Sequence, residues 1–419
     1  MTFQNDKHLA EKLDNEDTLR SYRARFFIPK DNQGNDVIYF CGNSLGLQPK
    51  SARQLVEQEL LDWERLGVEG HLHAKNPWLP YHEFLTASTA RLIGAKPIEV
   101  VVMNSLTVNL HLMLVSFYRP TTSRHKIVIE GNAFPSDRYA VESHIRFHGF
   151  EPKKSLVELK PLAGDATLST EDIEEFLEVE GEEVALVMLG GVNYYTGQAF
   201  DIARITKAAH AQGSIAGFDL AHAAGNLVLK LHEWNVDFAV WCSYKYLNAG
   251  PGSVAGCFVH ERHATSFDLP RFAGWWGHDK RTRFEMGSRF DCIEGAEGWQ
   301  ISNPPILPLA VLRASMEIFD EVGMEKLRAK SVALTTYLDT LLEHIPSKQF
   351  SILTPRNPHH RGCQVSIQTK LNGKQVYEHL LRSGVVCDWR APDVIRVAPV
   401  PLYNSFAEVH RFAEIIRGI

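Results

Sequence analysis

Hydrophobic and polar positions follow two rhythms along this chain. Between residues 98 and 260, short apolar runs alternate with longer stretches whose apolar residues recur at helical spacing. The runs at 100–103, 126–130, 185–189, 214–218, 236–242 and 253–260 predict buried strands. Helices are predicted at about 106–118, after Pro135, and at 202–211, with a short one between the strands ending at 218 and starting at 236. Strands and helices in alternation imply an α/β layer structure on a mostly parallel sheet. Ahead of this block lie a charged, partly helical arm (1–30), a short strand (37–41) and the turn Gly42-Asn43-Ser44-Leu45-Gly46. Leu55, Val56, Leu60, Trp63 and Leu66 mark an amphipathic helix over 50–66, and a second helix is predicted at about 80–94.

The pattern changes at Asn303-Pro304-Pro305. A long helical stretch (307–345) follows, then a strand (362–369), a helix (373–383), a strand (394–398) and a terminal helix (405–417). The chain is therefore parsed as an arm (1–50) that packs with a small carboxy-terminal α/β domain (306–419), and a large domain (51–305) between them.

A length of 419 residues, 44% hydrophobic and 22% charged, fits a soluble protein of two or three domains. The formal net charge of -6 disfavours a nucleic-acid partner, but it leaves room for a local basic pocket for a small anion. The six cysteines form no CxxC pair and suggest neither a zinc site nor a disulfide framework. Scattered thiols fit a reducing cytoplasm. The first residues are polar, with no apolar core for a signal peptide, and no run approaches the roughly 20 apolar residues that span a bilayer. A cytoplasmic protein without a membrane partner is expected. The pair His71 and His73 lacks a third ligand in sequence, so no metal is expected.

In open α/β sheets ligands bind beyond the carboxyl ends of the strands. Five clusters of chemistry-bearing residues fall there. Lys245 follows the apolar strand at 236–242, where an ammonium must be desolvated or paired. Desolvation makes such an amine nucleophilic, as a Schiff-base lysine requires, although a snorkelling strand-end lysine is equally compatible with the stretch. Asp219 ends the strand at 214–218 and either pairs with a cation such as a protonated pyridine or caps a helix. Asn104-Ser105-Leu106-Thr107 opens a helix, as an anion site or as a simple cap by Ser105. Phe134-Pro135-Ser136-Asp137 opens another, with Phe134 either a hydrophobic staple or an aromatic face for a flat cofactor. Arg396, between apolar neighbours, either grips a carboxylate or lies exposed on an edge strand. Together an anion site, an aromatic, an acid, a lysine and an arginine match pyridoxal 5'-phosphate and a carboxylate substrate.

The chain resembles fold type I pyridoxal-phosphate enzymes, and within them the kynureninase family. The motifs are YFCGNSLGLQP, NSLTVNLHLM, AFPSDRYA, YYTGQ, GFDLAHAAGN, WCSYKYLNAGPG, GWWGH, ISNPP and IRVAPVPLYNSF, from residue 39 to 406. The resemblance implies a mostly parallel seven-stranded sheet in the large domain and a homodimer. Lys245 becomes the Schiff-base lysine, Asp219 the partner of the pyridine nitrogen, and His222 a neighbour of the ring's phenolic oxygen. Phe134 stacks on the ring. Leu106, Thr107, Pro135, Ser136, Asp137, Thr196 and Tyr244 line the cofactor site, with Tyr244 also a candidate proton donor. Trp275 and Asn303 reach a cofactor from the partner subunit, and Arg396 holds the substrate α-carboxylate.

The implied reaction is hydrolysis of L-kynurenine or its 3-hydroxy form to anthranilate or 3-hydroxyanthranilate and L-alanine, in tryptophan degradation or synthesis of a nicotinamide precursor. His71 and Asn303 resemble positions that meet a ring hydroxyl, which favours the 3-hydroxy substrate; His71 as a loop histidine without a ligand is the plainer reading. Cysteine desulfurase relatives carry histidines where this chain has Tyr244 and Phe134. They also need a mobile cysteine, whereas Cys363 and Cys387 fall in predicted strands. Another lyase or transaminase of the same fold is the competing enzyme class. A non-catalytic relative should have lost Asp219, Lys245 or Arg396, and all three are present.

Overall fold

The computed structural model describes residues 7–345 and 349–419; the first six residues of the predicted arm lie outside the described residues. Seven strands form the large sheet: β1 (Val100–Met103), β2 (Lys126–Glu130), β3 (Leu156–Leu159), β4 (Val184–Gly190), β5 (Ile215–Asp219), β6 (Phe238–Trp241) and β7 (Ala255–Val259). Their spatial order is β1-β7-β6-β5-β4-β2-β3. From β6 to β3 all neighbours run parallel, while β7 is antiparallel to both β6 and β1. Every residue of β1, β6 and β7 is buried. Strands covered on both faces read as continuous apolar runs, and this made most of the sheet predictable. The exception is β3, an edge strand half-buried along its whole length, which the pattern did not mark.

Two expectations are corrected. No regular helix forms between β5 and β6; the backbone there makes successive turns, and Gly225 takes a left-handed φ of 77° that stops a helix from propagating. The long stretch at 307–345 is two helices, Ile306–Val322 and Met324–Glu343, separated at Gly323 with φ 81°.

The second sheet has strands β8 (Phe350–Ile352), β9 (Val365–Thr369), β10 (Asp388–Arg390) and β11 (Val394–Val397). They lie in the order β10-β11-β9-β8, all antiparallel. Its core joins Val365, Ile367, Ile395 and Val397 to Leu334, Leu338, Val409 and Phe412 of the flanking helices. The amino-terminal segment weaves between this core and that of the large sheet. Ala10, Ile38 and Phe40 belong to the small core, whereas Leu19, Phe26 and Leu47 belong to the large one. Ile38 and Tyr39 pair in parallel with Val385 and Val386. A few residues on, the Gly46 N–H donates to the Tyr244 carbonyl at 2.8 Å. A methyl group on Gly46 would stand 2.2 Å from the Lys245 carbonyl oxygen, so only glycine allows this approach.

Candidate active site

The carboxyl ends of β2, β4, β5 and β6 converge on one pocket, as expected of an open α/β sheet. It is lined by Leu106, Thr107, Phe134, Ser136, Asp137, Asp219, His222, Tyr244 and Lys245, all singled out by the sequence. Glu130, Gly190, Val192, Tyr194 and Ala221 also line it and were not.

Lys245 stands in the turn after β6, and its ammonium donates to His222 Nε2 at 3.0 Å. It lies 5.8 Å from the centre of the Phe134 ring. Burial and the nearby Lys245 charge hold His222 well below the usual imidazole range, so its ring is neutral and accepts. His222 Nδ1 is buried without a hydrogen-bond partner.

Asp219 closes β5 and is buried. It caps no helix; it accepts the Ala221 N–H at 2.7 Å. Burial raises its carboxyl, partly offset by the Lys245 charge, the Ala221 N–H and a hydrogen bond with Asp137. Asp137 is raised further, by burial and by the charges of Asp219 and Glu130, and its Oδ1 has no partner. Two adjacent buried acids under one lysine cannot both stay ionised cheaply. An added cation beside Asp219 relieves this.

Two helices, Leu106–Phe117 and Pro135–Phe147, point their amino termini into the pocket. Ser105 makes no capping hydrogen bond, and neither does the residue before Pro135. In the second helix Pro135 has no N–H and the Asp137 N–H donates to the Phe134 carbonyl at 3.0 Å, so the first-turn donors open to an anion are those of Leu106, Thr107 and Ser136. Thr107 Oγ1 and Ser136 Oγ meet at 3.0 Å across the gap between these helices. Phe134 is no buried staple: it is 43% exposed, with its ring edge-on to Tyr194 at 5.3 Å. Burial raises the Tyr244 hydroxyl, which keeps it protonated.

The remaining predicted residues stand apart from this lining. Pro135 is the first residue of its helix. Thr196 is buried and hydrogen-bonds Asn193 Oδ1 through its hydroxyl at 3.2 Å and its N–H at 3.0 Å. Arg396 is 1% exposed rather than on a surface edge, because β11 lies between β9 and β10. It ion-pairs with Asp388, donates to the Tyr194 carbonyl at 2.6 Å, and leaves Nε without a partner. His71 sits in a single helical turn, Gly70–His73, not a loop, edge-on to Trp78 at 5.4 Å, with Nδ1 buried and unpartnered. Trp275 is 40% exposed, its indole N–H donating to the Arg283 carbonyl at 3.1 Å, and Asn303 is exposed. Cys363 and Cys387 flank strands instead of lying in them. Both are buried and burial pushes their thiols up, Cys363 to about 12, so neither resembles a mobile nucleophile.

Pyridoxal phosphate fits these residues. Lys245 offers the amine, Asp219 a carboxylate for the ring nitrogen, and Phe134 an open aromatic face. Two uncapped helix termini with Thr107 and Ser136 suit the phosphate. The orphaned His222 Nδ1 and Asp137 Oδ1 are the kind of buried polar atoms a ligand satisfies.

A family model for the kynureninase C-terminal domain matches residues 327–416. Over the whole fold the chain is similar to a cysteine desulfurase from Thermococcus onnurineus, with a TM-score of 0.76 at 18% identity, covering 95% of this chain and 97% of that one. At that identity the likeness is one of architecture. Much nearer in sequence are kynureninases from Koribacter versatilis, 60% identical across 98% of this chain and 97% of the relative, and from Myxococcus xanthus, 59% identical across 99% and 98%. With identity at that level across nearly the whole of both chains, the chain belongs to the kynureninase family.

Proposed function

We propose that the protein hydrolyses L-kynurenine and 3-hydroxy-L-kynurenine to L-alanine and anthranilate or 3-hydroxyanthranilate, with pyridoxal 5'-phosphate held in this pocket. The observation that carries the reading is the meeting of Lys245, Asp219 and Phe134 in one pocket of a kynureninase-family chain. When bound, the cofactor supplies an electron sink for negative charge that develops on the substrate's carbons.

The chain's own residues do the rest. Lys245 would hold the cofactor, and its amine, once free, would take the proton from the substrate Cα. His222, neutral and within hydrogen-bond reach, accepts from the Lys245 amine and orients it. Asp219 keeps a proton on the ring nitrogen. Thr107, Ser136 and the two helix termini bind the phosphate, and Phe134 fixes the ring plane. Tyr244, a phenol in the pocket lining, would donate a hydrogen bond to the phosphate and is a candidate to protonate a leaving carbon. Water adds to the substrate's γ-carbonyl, the Cβ–Cγ bond breaks, one proton is delivered to Cβ, and the proton that Lys245 took is given back to Cα, which completes alanine. Arg396 holds the α-carboxylate with its one unpaired donor, after yielding its contact with the Tyr194 carbonyl.

The same reading includes a homodimer in which Trp275 and Asn303 serve the partner's pocket, a role their exposure permits. It includes Thr196 and Pro135 as supports of the cofactor site, a cytoplasmic location, and the division into an arm (1–50), a large domain (51–305) and a small one (306–419). Among the described residues no helix is long and apolar enough to cross a membrane. His71, with an unpartnered buried Nδ1, is the residue we assign to the 3-hydroxyl together with Asn303. The test is kcat/KM for both substrates on protein saturated with cofactor. Alanine from each, with the 3-hydroxy form preferred, is expected; no cleavage of either would overturn the assignment.

A further inference from the structure

Three carboxyl groups share the pocket: Asp219, which the reaction described above uses, Asp137, and one more. The third is Glu130, which ends β2 and is 5% exposed. Its route into the site depends on a gap in the sheet. Strand β4 lies between β2 and β5, and its last residue, Gly190, is paired in register with Asp219. Glu130 Oε2 accepts the Gly190 N–H at 3.1 Å. A methyl group on Gly190 would stand 2.9 Å from Glu130 Oε1. The carboxyl thus occupies the space that a side chain on the intervening strand would take, and that space leads to Asp219.

Electrostatics gives this placement a consequence. The groups that bear on Glu130 are Asp219 on β5, Asp137 on the helix Pro135–Phe147, the Asn193 side chain and the Gly190 N–H. Lys245 bears on the two aspartates. His222 lines the same pocket and is neutral. One ammonium cannot balance three buried carboxylates, so the cluster retains protons. Burial pushes Glu130 up to about 7, with Asp219 adding to the effect. Asp219 and Glu130 together add to the effect of burial in raising Asp137.

We propose that Glu130 is a positioning residue for Asp219: laid across Gly190 in its protonated form, it leaves the cluster's negative charge on Asp219, the acid assigned to the cofactor's ring nitrogen. Ionisation of Glu130 releases its proton to solvent and puts a second charge beside Asp219. That raises the proton affinity of Asp219, which then competes with the ring nitrogen for the proton between them. This rests on the cofactor reading given above.

The test uses the holoenzyme and the Glu130→Gln variant, which keeps an acceptor for the Gly190 N–H and cannot ionise. Visible absorption and kcat/KM are followed from about pH 5.5 to 8.5, across the neutral range where burial places this group. Wild type should show a one-proton transition near neutrality in both, with kcat/KM falling about tenfold at the alkaline end. The variant should lack that transition and keep its acid-side spectrum throughout. Infrared spectroscopy reads the proton directly. The stretch of a buried protonated carboxyl should fade over the same range in wild type and be reduced in the variant at low pH. Identical titrations of the two proteins, or an unchanged infrared band, would overturn the proposal. Failure of the cofactor reading has a different signature, a wild-type protein that gains no visible band that Lys245→Ala lacks. The infrared comparison still decides the state of Glu130 in that case.

Discussion

Asp219 and Asp237 lie on adjacent strands of one sheet, at opposite ends, and the protein treats them in opposite ways. Asp219 closes β5 among two other acids, with one lysine nearby, and its carboxyl is raised. Asp237 precedes β6 and is equally buried. It is met by His210 at 2.8 Å, His263 at 2.6 Å, the Ala216 N–H at 2.8 Å and the Arg262 guanidinium. Burial alone would raise Asp237; the two histidines, Arg262 and the N–H outweigh it and hold the carboxyl well below the usual range. One end of the sheet is a closed charge network that ties the chain together. The other is left short of cations, and that shortage is what a cationic ring nitrogen satisfies.

Changes at the two ends should therefore separate catalysis from stability. The largest effect is expected from Lys245→Ala, which should lower kcat by roughly 10⁴-fold and abolish the visible cofactor band. A surviving band would move the cofactor's attachment elsewhere. Asp219→Ala should retain some cofactor and lose roughly 10³-fold in turnover, measured by anthranilate release; wild-type turnover would remove its role. Asp237→Ala should behave inversely, costing about 3 kcal/mol in denaturant unfolding while the folded fraction keeps its kcat, because it removes the acceptor shared by His210, His263, Arg262 and the Ala216 N–H. The smallest effect is expected at His71, where alanine should shift the ratio of kcat/KM between the two substrates by about tenfold, one hydrogen bond's worth.

The contrast extends to pH. A depressed carboxyl such as Asp237 contributes stability at pH values above its unfolded pKa, and that contribution is lost as pH falls through the folded value. A raised carboxyl such as Glu130 does the reverse. Its contribution is complete below its ordinary value and is lost as pH rises through about 7. For the cofactor-free chain, Asp237→Asn should cost stability at neutral pH, and the gap to wild type should close as pH falls. The alkaline side should improve after Glu130→Gln, by at most roughly 3 kcal/mol, as read from unfolding midpoints across pH.

How much of this was legible depended on whether a residue breaks the local pattern. Lys245 and Asp219 stand out because each comes just after a mostly apolar run. Glu130 ends a strand that already begins with a lysine, so it reads as an ordinary charged strand terminus. Its importance lies in Gly190, sixty residues away, and pairing across strands is not written in local spacing. Tyr194 likewise follows β4 in an irregular loop. The alternation around Arg396 left open an exposed edge. Only the presence of β10, three residues long and half-buried, makes β11 an inner strand and buries the guanidinium. Edge strands such as β3 and β10 carry weak apolar signals because water covers one side of them.

The woven amino-terminal segment also sets a timetable for synthesis. Ile38 pairs with Val385, so the first strand of the small core leaves the ribosome about 350 residues before its partner. At about 5–20 residues per second, that is a wait of roughly 20–70 s. Through that interval Ile38 and Phe40, fully buried in the finished protein, have no core to enter, while the large sheet can already close around Leu19, Phe26 and Leu47. The nascent chain thus carries an exposed apolar strand until its last helix is made.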